Sequence, residues 1–241
     1  MLLVFMYHRA RAGRHGNAAD VLDAHFAQIA SRFSNVLPGD SLRPGAVNVC
    51  LSFDDATFDF YAVVFPLLWK HRLRALLAVV PSVVRETVNA TGDARLSMET
   101  ESAFADPDAG GFCTWRELEK MAGSGHVQIA SHGLTHRRLD DTHVDLASEV
   151  EASQTVLASR LGQPVGSFVF PFGRFSRRAL QHVRQKYAYA FRIGGALNRS
   201  WKSRVLYRID GDAMPTPSAL FSPSRLTSYR ARYFWNRVRF R

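Results

Sequence analysis

Short apolar runs alternate with amphipathic segments along most of the chain. This pattern predicts an α/β protein with mostly parallel strands, because stretches with helical periodicity separate the buried runs. The predicted strands cover residues 2–6, 47–53, 75–80, 127–130, 167–170 and 188–192. The predicted helices cover residues 20–33, 61–70, 115–121, 145–161 and 176–185.

Capping signals and local composition add detail to this plan. Asp20 is expected to be the N-cap of the first helix, and Thr114 with Glu117 has the spacing of a capping box. Asp59 is interpreted as an acid near a helix N-terminus. Residues 85–112 are polar and rich in Gly and Asp, so we expect an insertion or a lid there. The histidines expected to be solvated are His15, His25, His71, His126, His143 and His182.

Chemically distinctive residues follow three of the predicted strands. Asp54 and Asp55 follow the second strand, His132 follows the fourth, and Pro-Phe-Gly at 171–173 follows the fifth. In parallel α/β folds the carboxyl ends of the strands are where ligands bind. We therefore expect these residues to contribute to one site.

A metal site is one interpretation of this group. The sequence Ser-His-Gly-Leu-Thr-His at 131–136 spaces His132 and His136 so that a helical turn would direct both rings to one side. The pair alone is a weak signal, because two surface histidines are at least as common at this spacing. Two histidines and one aspartate would leave open positions for water and substrate, as catalytic zinc requires. The second aspartate would then accept a proton from metal-bound water.

The same motifs resemble those of a known enzyme family. Ser-Phe-Asp-Asp-Ala-Thr at 52–57, Ser-His-Gly-Leu-Thr-His at 131–136 and Phe-Pro-Phe-Gly-Arg at 170–174 are similar to successive motifs of the polysaccharide deacetylases, the NodB-homology or carbohydrate esterase 4 family. The resemblance extends over most of residues 1–212. It implies a distorted (β/α)7-type barrel that removes N-acetyl groups from amino sugars with a divalent metal, usually Zn²⁺, with Co²⁺ or Ni²⁺ as alternatives.

The resemblance also implies roles for individual residues. Asp54 resembles the catalytic base, while Asp55, His132 and His136 resemble the metal ligands. The turn after the fifth strand is similar to one whose backbone N–H groups help to hold the oxyanion, which preorganised donors stabilise. The substrate- and oxyanion-binding residues that it implies are Phe172, Gly173 and Arg174, and we add Arg208 to this group as a candidate.

Several positions depart from the family pattern. Ala56 follows the aspartate pair where glycine is usual, and Val169 stands where an arginine often neighbours the base; Arg208 is the candidate substitute, with a solvated arginine as the alternative. The C-terminal Leu-x-Leu-x-His motif that supplies the general acid is absent. Some branches of the family supply this histidine from the N-terminal strand, and His8 resembles it; a structural histidine is the alternative. Asp210 is a weak candidate for orienting His8 or Arg208.

Charge is unevenly distributed along the 241 residues. The composition, with 46% hydrophobic and 22% charged residues, is that of an ordinary globular protein, but the formal net charge is +10. Arginines contribute +6 of this charge in the last 17 residues, at Arg225, Arg230, Arg232, Arg237, Arg239 and Arg241. We therefore divide the chain into a single NodB-like deacetylase domain, residues 1–224, and a basic, aromatic tail, residues 225–241.

The tail is compatible with three roles. On a helical wheel it has an apolar strip flanked by arginines, which resembles a helix that lies on anionic lipid. A second apolar group lies opposite, so packing on the barrel or on another subunit is also open. Nucleic-acid binding is disfavoured, because the basic residues are not spread along a groove. The strip consists of Leu226, Tyr229, Tyr233 and Phe240, and the second group of Phe234, Trp235 and Val238.

Cysteine usage and the N-terminus suggest a location. Cys50 and Cys113 have no metal-type spacing, so we expect two buried, reduced thiols in a cytosolic protein. The apolar run at 2–6 has no basic region or cleavage site and is too short to span a membrane. The expected function is an N-deacetylase in surface polysaccharide or O-antigen assembly, cytoplasmic and peripheral to the inner membrane. The alternatives are a hydrolase of another C–N bond and an inactive glycan-binding homologue; no oligomeric state is predicted.

Overall fold

The fold is built on parallel strands. The computed structural model describes residues 1–13, 15–214 and 216–239. Its strands are β1 (Leu2–Tyr7), β2 (Ser34–Asn35), β3 (Asn48–Phe53), β4 (Ala75–Val79), β5 (Val127–Ser131), β6 (Ser167–Val169), β7 (Tyr189–Ile193) and β8 (Leu206–Asp210). Seven of these follow one another in the order β1-β8-β7-β6-β5-β4-β3, and β3 pairs back with β1, which closes a parallel barrel. The short strand β2 pairs with β3 outside this ring.

Helices connect the strands and cover the barrel. They are α1 (Ala19–Arg32), α2 (Phe65–His71), α3 (Gly92–Ser97), α4 (Thr100–Ala105), α5 (Trp115–Gly123), α6 (Ser153–Leu161), α7 (Arg177–Lys186), α8 (Pro217–Phe221) and α9 (Pro223–Arg239). A π-helical turn precedes α2 at Phe60–Val64, and another precedes α6 at Ala147–Ala152. The predicted α/β class and the (β/α)7-type barrel are confirmed. Within the described residues, no helix combines the length and the apolar character needed to cross a bilayer.

The strands alternate between two apolar environments. Leu2 and Val4 of β1 contact Cys50, Leu76 and other residues in a small cluster. The residues between them, such as Leu3 and Phe5, belong to the larger cluster that includes the covering helices. This period of two is what a strand buried on both faces requires. The small cluster therefore fills the barrel interior, and the larger one attaches the helices.

Several local predictions need correction. The N-cap of α1 is Ala18, not Asp20, whose carboxylate instead accepts the neighbouring backbone N–H of Val21 within the first turn. His25 is fully buried instead of solvated, and this burial lowers its pKa. Asp59 lies at a helix N-terminus as predicted, directly before the turn Phe60–Val64, but it is also buried, and its carboxylate accepts a hydrogen bond from Nε of Arg9 at 2.7 Å.

The apolar pattern of the sequence did not predict two of the strands. β8 has the sequence Leu-Tyr-Arg-Ile-Asp, in which Arg208 interrupts the apolar pattern although the strand is buried around it. β2 is only two residues long, which is too short to show a period. The capping box is present, because Oγ1 of Thr114 accepts the N–H of Glu117 and the Glu117 carboxylate accepts that of Thr114. Cys50 and Cys113 are both buried free thiols, as expected.

The segment 85–112 is ordered by a buried arginine. It contains α3, α4 and a short 3₁₀ turn. The guanidinium of Arg95 donates to both carboxylate oxygens of Glu117 at 2.8 and 2.9 Å and to the carbonyls of Gly110 and Phe112. Buried charges of this kind are stable only when paired. The segment is therefore tied to the start of α5, and it forms one wall above the barrel.

The apolar strip predicted for the tail packs on the barrel. Tyr229 and Tyr233 are buried in the same cluster as the strands, with Leu226 against it. The hydroxyl of Tyr229 donates to the carbonyl of Leu220, so α8 and α9 are joined. Phe240, the fourth member of the predicted strip, lies outside the described residues. The predicted boundary between residues 224 and 225 falls inside α9.

This packing predicts the cost of truncation. Tyr229→Ala should lower the free energy of unfolding by about 3 kcal/mol, because it removes a buried aromatic side chain and leaves a cavity. Trp235→Ala is the matched control: its ring is exposed on the same helix, so its effect should stay within about 0.5 kcal/mol. Urea denaturation of both variants measures the difference. Equal effects would contradict the packing of α9 described above.

Candidate active site

Polar side chains converge at the carboxyl end of the barrel. They come from the ends of β1, β3 and β5, from the interior of β8 and from the loop that follows it. Because all barrel strands are parallel, these ends lie at the same edge. The converging residues are His8, Asp54, Asp55, His132, His136, Arg208 and Asp212.

The turn after β3 brings both aspartates into the site. Asp55 and Ala56 both have left-handed backbone conformations, with φ of 69° and 54°. This is costly for residues other than glycine, and it persists where surrounding structure imposes it. The N–H of Asp54 donates to the carbonyl of Tyr7 and that of Cys113 to the carbonyl of Ala56, which fixes the turn on both sides. The conformation also explains why glycine suits position 56.

Asp55, His132 and His136 form a candidate metal centre. Their ligand atoms lie within 4.8 Å of one another. Oδ1 of Asp55 is 3.7 Å from Nε2 of His132 and 3.5 Å from Nε2 of His136. This oxygen is buried and has no hydrogen-bond partner among the described residues. A buried carboxylate oxygen without a donor is costly, and a cation would satisfy it. The residues present therefore fit a divalent metal.

The protonation state of His132 suits a ligand. Its Nδ1 lies 2.8 Å from the carbonyl oxygen of Val169, so Nδ1 carries the proton and donates. Nε2 is then the free lone pair, and it faces Asp55. Burial lowers the pKa of His132 to about 4, so the ring is neutral at pH 7. A neutral imidazole oriented by its second nitrogen is the usual form in metal sites.

The turn that carries His136 is held by a glutamate that the sequence did not indicate. Residues 132–136 form a bend, not the helical turn expected from the spacing of the histidines. Glu149 is buried, and its Oε2 accepts the N–H groups of Leu134 and Thr135 at 3.0 and 3.1 Å. The hydroxyl of Thr135 donates to the other oxygen. A Cβ on Gly133, which has φ of 78°, would lie 2.8 Å from that carboxylate, so only glycine fits there.

Two aromatic rings enclose His136. The ring of Phe104, from the segment 85–112, stacks on the imidazole with centroids 4.9 Å apart. The exposed ring of Phe172 lies on another side at 4.6 Å. The segment 85–112 thus contributes a wall to the site, in line with its predicted position as a lid or insertion. Phe104 itself was not predicted.

Asp54 is paired with Arg208 inside the barrel. Nη2 of Arg208 donates to Oδ2 of Asp54 at 2.9 Å, and Nη1 donates to Oδ1. Burial by itself raises the pKa of Asp54, but the charge of Arg208 and the neighbouring histidines holds it well below its usual range. Arg208 therefore lies where the substitute for the usual arginine was expected. Only 1% of Arg208 is exposed, so it lies behind the carboxylate and away from a substrate.

His8 faces Asp54 from the end of β1. Its Nε2 is 3.6 Å from Oδ2 of Asp54, and its Nδ1 is 2.6 Å from Oδ2 of Asp212. The carboxylate of Asp212 also accepts the backbone N–H of His8. Burial lowers the pKa of His8, but the hydrogen bond to Asp212 and the charge of Asp54 outweigh it and raise the pKa to about 9. His8 is therefore protonated at neutral pH.

The partner of His8 is Asp212 and not Asp210. After β8 the N–H of Gly211 donates to the carbonyl of Met6, so the chain turns across the end of β1 and brings Asp212 over His8. A side chain at Gly211 would collide with the ring of Tyr7. Asp210 is exposed and its carboxylate accepts the N–H of Asp212. Asp210 thus supports the orienting residue instead of orienting His8 or Arg208.

The turn after β6 contains the predicted oxyanion donors. Phe172 and Gly173 have left-handed conformations, with φ of 56° and 63°. The N–H groups of Gly173 and Arg174 donate to the carbonyls of Phe170 and Pro171, inside the turn. Among the three residues predicted to bind the oxyanion, the N–H of Phe172 is therefore the remaining candidate donor. The side chain of Arg174 is exposed.

Comparison with known families assigns this architecture. A family model described as polysaccharide deacetylase matches residues 43–190. The chain belongs to the polysaccharide deacetylase family. No curated protein matches it. The matched range includes Asp54, Asp55, His132 and His136, whereas His8 and Asp212 lie outside it.

Solved structures of deacetylases share the fold of this family member. A Streptococcus pyogenes deacetylase, PplD, in complex with acetate, is 18% identical with a TM-score of 0.70, covering 91% of this chain and 96% of its own. A polysaccharide deacetylase from Bacillus cereus is 15% identical with a TM-score of 0.74, covering 93% and 68%. A de-N-acetylase from Aggregatibacter actinomycetemcomitans is 19% identical with a TM-score of 0.70, covering 95% and 99%. At these identities the likeness shows the fold.

The contacts of Glu149 predict its effect on metal binding. Glu149→Ala should weaken the affinity for a divalent metal, with Zn²⁺ as the probe, by about 10- to 100-fold, because the turn that carries His136 loses its acceptor. Glu149→Gln keeps an acceptor oxygen and should lose less metal affinity than Glu149→Ala. Glu151→Ala is the matched control, since Glu151 pairs with Lys186 at the surface nearby. Competition with a chromophoric chelator measures the affinities. Unchanged affinity in Glu149→Ala would exclude this positioning role.

Proposed function

We propose that this deacetylase is a metal-dependent hydrolase of N-acetyl groups on an amino-sugar glycan or glycan precursor, acting in surface polysaccharide or O-antigen assembly. The observation that carries the proposal is the juxtaposition of three elements. The ligand set of Asp55, His132 and His136 lies beside an ionised Asp54, and a protonated His8 faces the same carboxylate. The cytoplasmic, membrane-peripheral location stays a prediction.

The donor set supports a Lewis-acid metal. Two imidazoles and one carboxylate suit Zn²⁺, with Co²⁺ or Ni²⁺ as alternatives. A divalent metal bound there would supply a water of lowered pKa and polarise the amide carbonyl. Asp55, His132 and His136 would hold it.

The remaining residues move protons and orient the substrate. Asp54 accepts the proton of the attacking water, and its pair with Arg208 keeps the carboxylate ionised and fixed. The N–H of Phe172 donates to the oxyanion as the amide carbon becomes tetrahedral. His8, held by Asp212, donates its proton to the nitrogen of the leaving amine. The C–N bond then breaks and releases acetate and the free amine.

The name of one structural neighbour, a de-N-acetylase, supports the choice of an N-acetyl group over another C–N bond. The complete set of base, acid and ligands supports an active enzyme over an inactive glycan-binding homologue. No separate observation favours either alternative.

The separate roles of the two aspartates can be tested directly. Asp54→Asn should reduce acetate release from N-acetylglucosamine oligomers by at least about 10²-fold while Zn²⁺ stays bound, because it removes the base. Asp55→Asn should lose Zn²⁺, since it removes a charged ligand. Metal content and acetate are measured on the same samples, with circular dichroism as the folding control. Wild-type protein that binds Zn²⁺ but releases no acetate from any N-acetylated amino sugar would overturn the proposed substrate class.

The environment of His8 predicts a pH dependence. If His8 must be protonated to donate, kcat/KM should fall as the pH rises through about 9, the pKa of His8 in the folded protein. Asp212→Asn removes the hydrogen bond to a charged partner, which raises this pKa in the wild type. The alkaline limb of the variant should therefore move to lower pH by about one unit or more. A pH–rate profile with an unmoved alkaline limb would remove Asp212 from this role.

A further inference from the structure

The C-terminal helix exposes a group of large apolar side chains. Within the described residues, Phe234, Trp235 and Val238 of α9 are 57%, 67% and 74% exposed. They lie within two turns of the helix and form an outer apolar patch. Large exposed apolar groups that adjoin one another mark interaction sites more often than single exposed side chains do.

Packing of the opposite face fixes this exposure. Tyr229 and Tyr233 are committed to the barrel core, so α9 cannot rotate to bury the outer apolar patch without exposing both tyrosines. The positions that complete the outer face are Thr227, Ser228 and Ala231, which carry no charge. The outer face of α9 is thus uncharged along its length and strongly apolar in its second half.

Basic residues flank this face without acidic partners. Arg225, Arg230 and Arg232 are exposed, and none forms an ion pair with a carboxylate among the described residues. The last acidic residue of the sequence is Asp212, while six arginines follow residue 224. A second copy of the chain would bring these like charges together across an interface. An anionic bilayer instead offers opposite charge to the arginines and an interfacial layer for Trp and Phe.

The second half of α9 lies beside the mouth of the active site. The side-chain amide of Asn236 donates to the carbonyl of Gly194 at 3.1 Å, directly after the end of β7. Ile193, the last residue of β7, is itself exposed and adjoins Gly173, where a Cβ would lie 3.0 Å from its own. The neighbouring Phe172 covers His136. Two exposed apolar residues, Phe172 and Ile193, therefore lie at the rim of the site, and Asn236 holds the second half of α9 next to the end of β7.

We propose that the outer face of α9 docks the enzyme on an anionic bilayer, with the mouth of the active site next to the lipid surface. The outer apolar patch enters the interfacial layer, and the flanking arginines contact lipid phosphates. The substrate is then an amino sugar held at that surface, on a lipid carrier or a membrane-attached glycan. This last step rests on the proposed function, whereas the docking does not.

Vesicle sedimentation with the full chain tests the docking. Wild-type protein should bind vesicles of equal parts phosphatidylglycerol and phosphatidylcholine and bind phosphatidylcholine alone at least about tenfold more weakly. Binding should also weaken at high salt. The triple variant F234S/W235S/V238S should lose at least about tenfold in affinity, because it removes the apolar contact. Each of Arg225→Gln and Arg230→Gln should weaken binding to anionic vesicles by about fivefold.

Trp69→Ser is the matched control, since Trp69 is equally exposed but lies on α2. It should bind like wild type. Equal binding of wild type to neutral and anionic vesicles, or wild-type binding by the triple variant, would overturn the proposal. The proposal would also be overturned if the wild-type protein were an oligomer without lipid and the triple variant were a monomer, because the outer apolar patch would then be a contact between copies.

Acetate release from soluble N-acetylglucosamine oligomers separates the two proposals. The triple variant should keep wild-type activity in this assay, since none of its positions contacts the catalytic residues. Vesicle binding without any deacetylation would leave the docking intact and contradict the proposed function. Deacetylation without vesicle binding would contradict the docking and leave the proposed function intact.

Discussion

Two adjacent carboxylates are buried side by side at the end of β3, and the arrangement is stable only if each charge has a partner. Arg208 reaches Asp54 across the barrel from β8 and satisfies both of its oxygens. Breaking a buried pair of this kind leaves an uncompensated charge and is strongly destabilising. Asp55 keeps an unpartnered oxygen that faces two imidazoles. The left-handed turn at 55–56 directs the two charges to different partners. The other residues of the active site are arranged around these two aspartates.

Other carboxylates in and around the site have different tasks, which their surroundings determine. Asp212 accepts from His8 and keeps that imidazole protonated, whereas Glu149 accepts backbone N–H groups and a hydroxyl and shapes the turn before His136. His132 donates from Nδ1 to a backbone carbonyl and stays neutral. Two histidines whose Nε2 atoms lie 3.6 and 3.9 Å from the same oxygen of Asp54 thus take opposite protonation states. An acid and a ligand can coexist because each imidazole has a different second partner.

The apolar runs predicted an α/β plan with parallel strands and placed Asp54, Asp55 and His132 at one edge, whereas the barrel was implied by the resemblance of the motifs to those of the polysaccharide deacetylases. The first inference depends on local periodicity and on parallel strands sharing an edge. Asp212, Glu149 and Phe104 reach the site from a loop, a π-helical turn and a short helix, none of which has a period that points inward. Arg208 was proposed only from the absence of an arginine at Val169. The choice between Asp210 and Asp212 depended on the turn at Gly211, which the spacing of residues does not reveal.

The orientation of α9 follows from how the barrel closes. β1 and β8 pair over only two residue pairs, Phe5 with Ile209 and Met6 with Asp210. Below them the chain at 197–198 fills the gap, with Asn198 bonded to Leu2 and the N–H of Leu197 to the carbonyl of Tyr229. The helical wheel of α9 has two apolar faces. The face with Tyr229 and Tyr233 is the one that packs against this gap. The side-chain amide of Asn236 then bonds the carbonyl of Gly194, so the helix runs from this gap to the end of β7. The way in which the barrel closes therefore decides which apolar face of α9 is buried and which stays exposed.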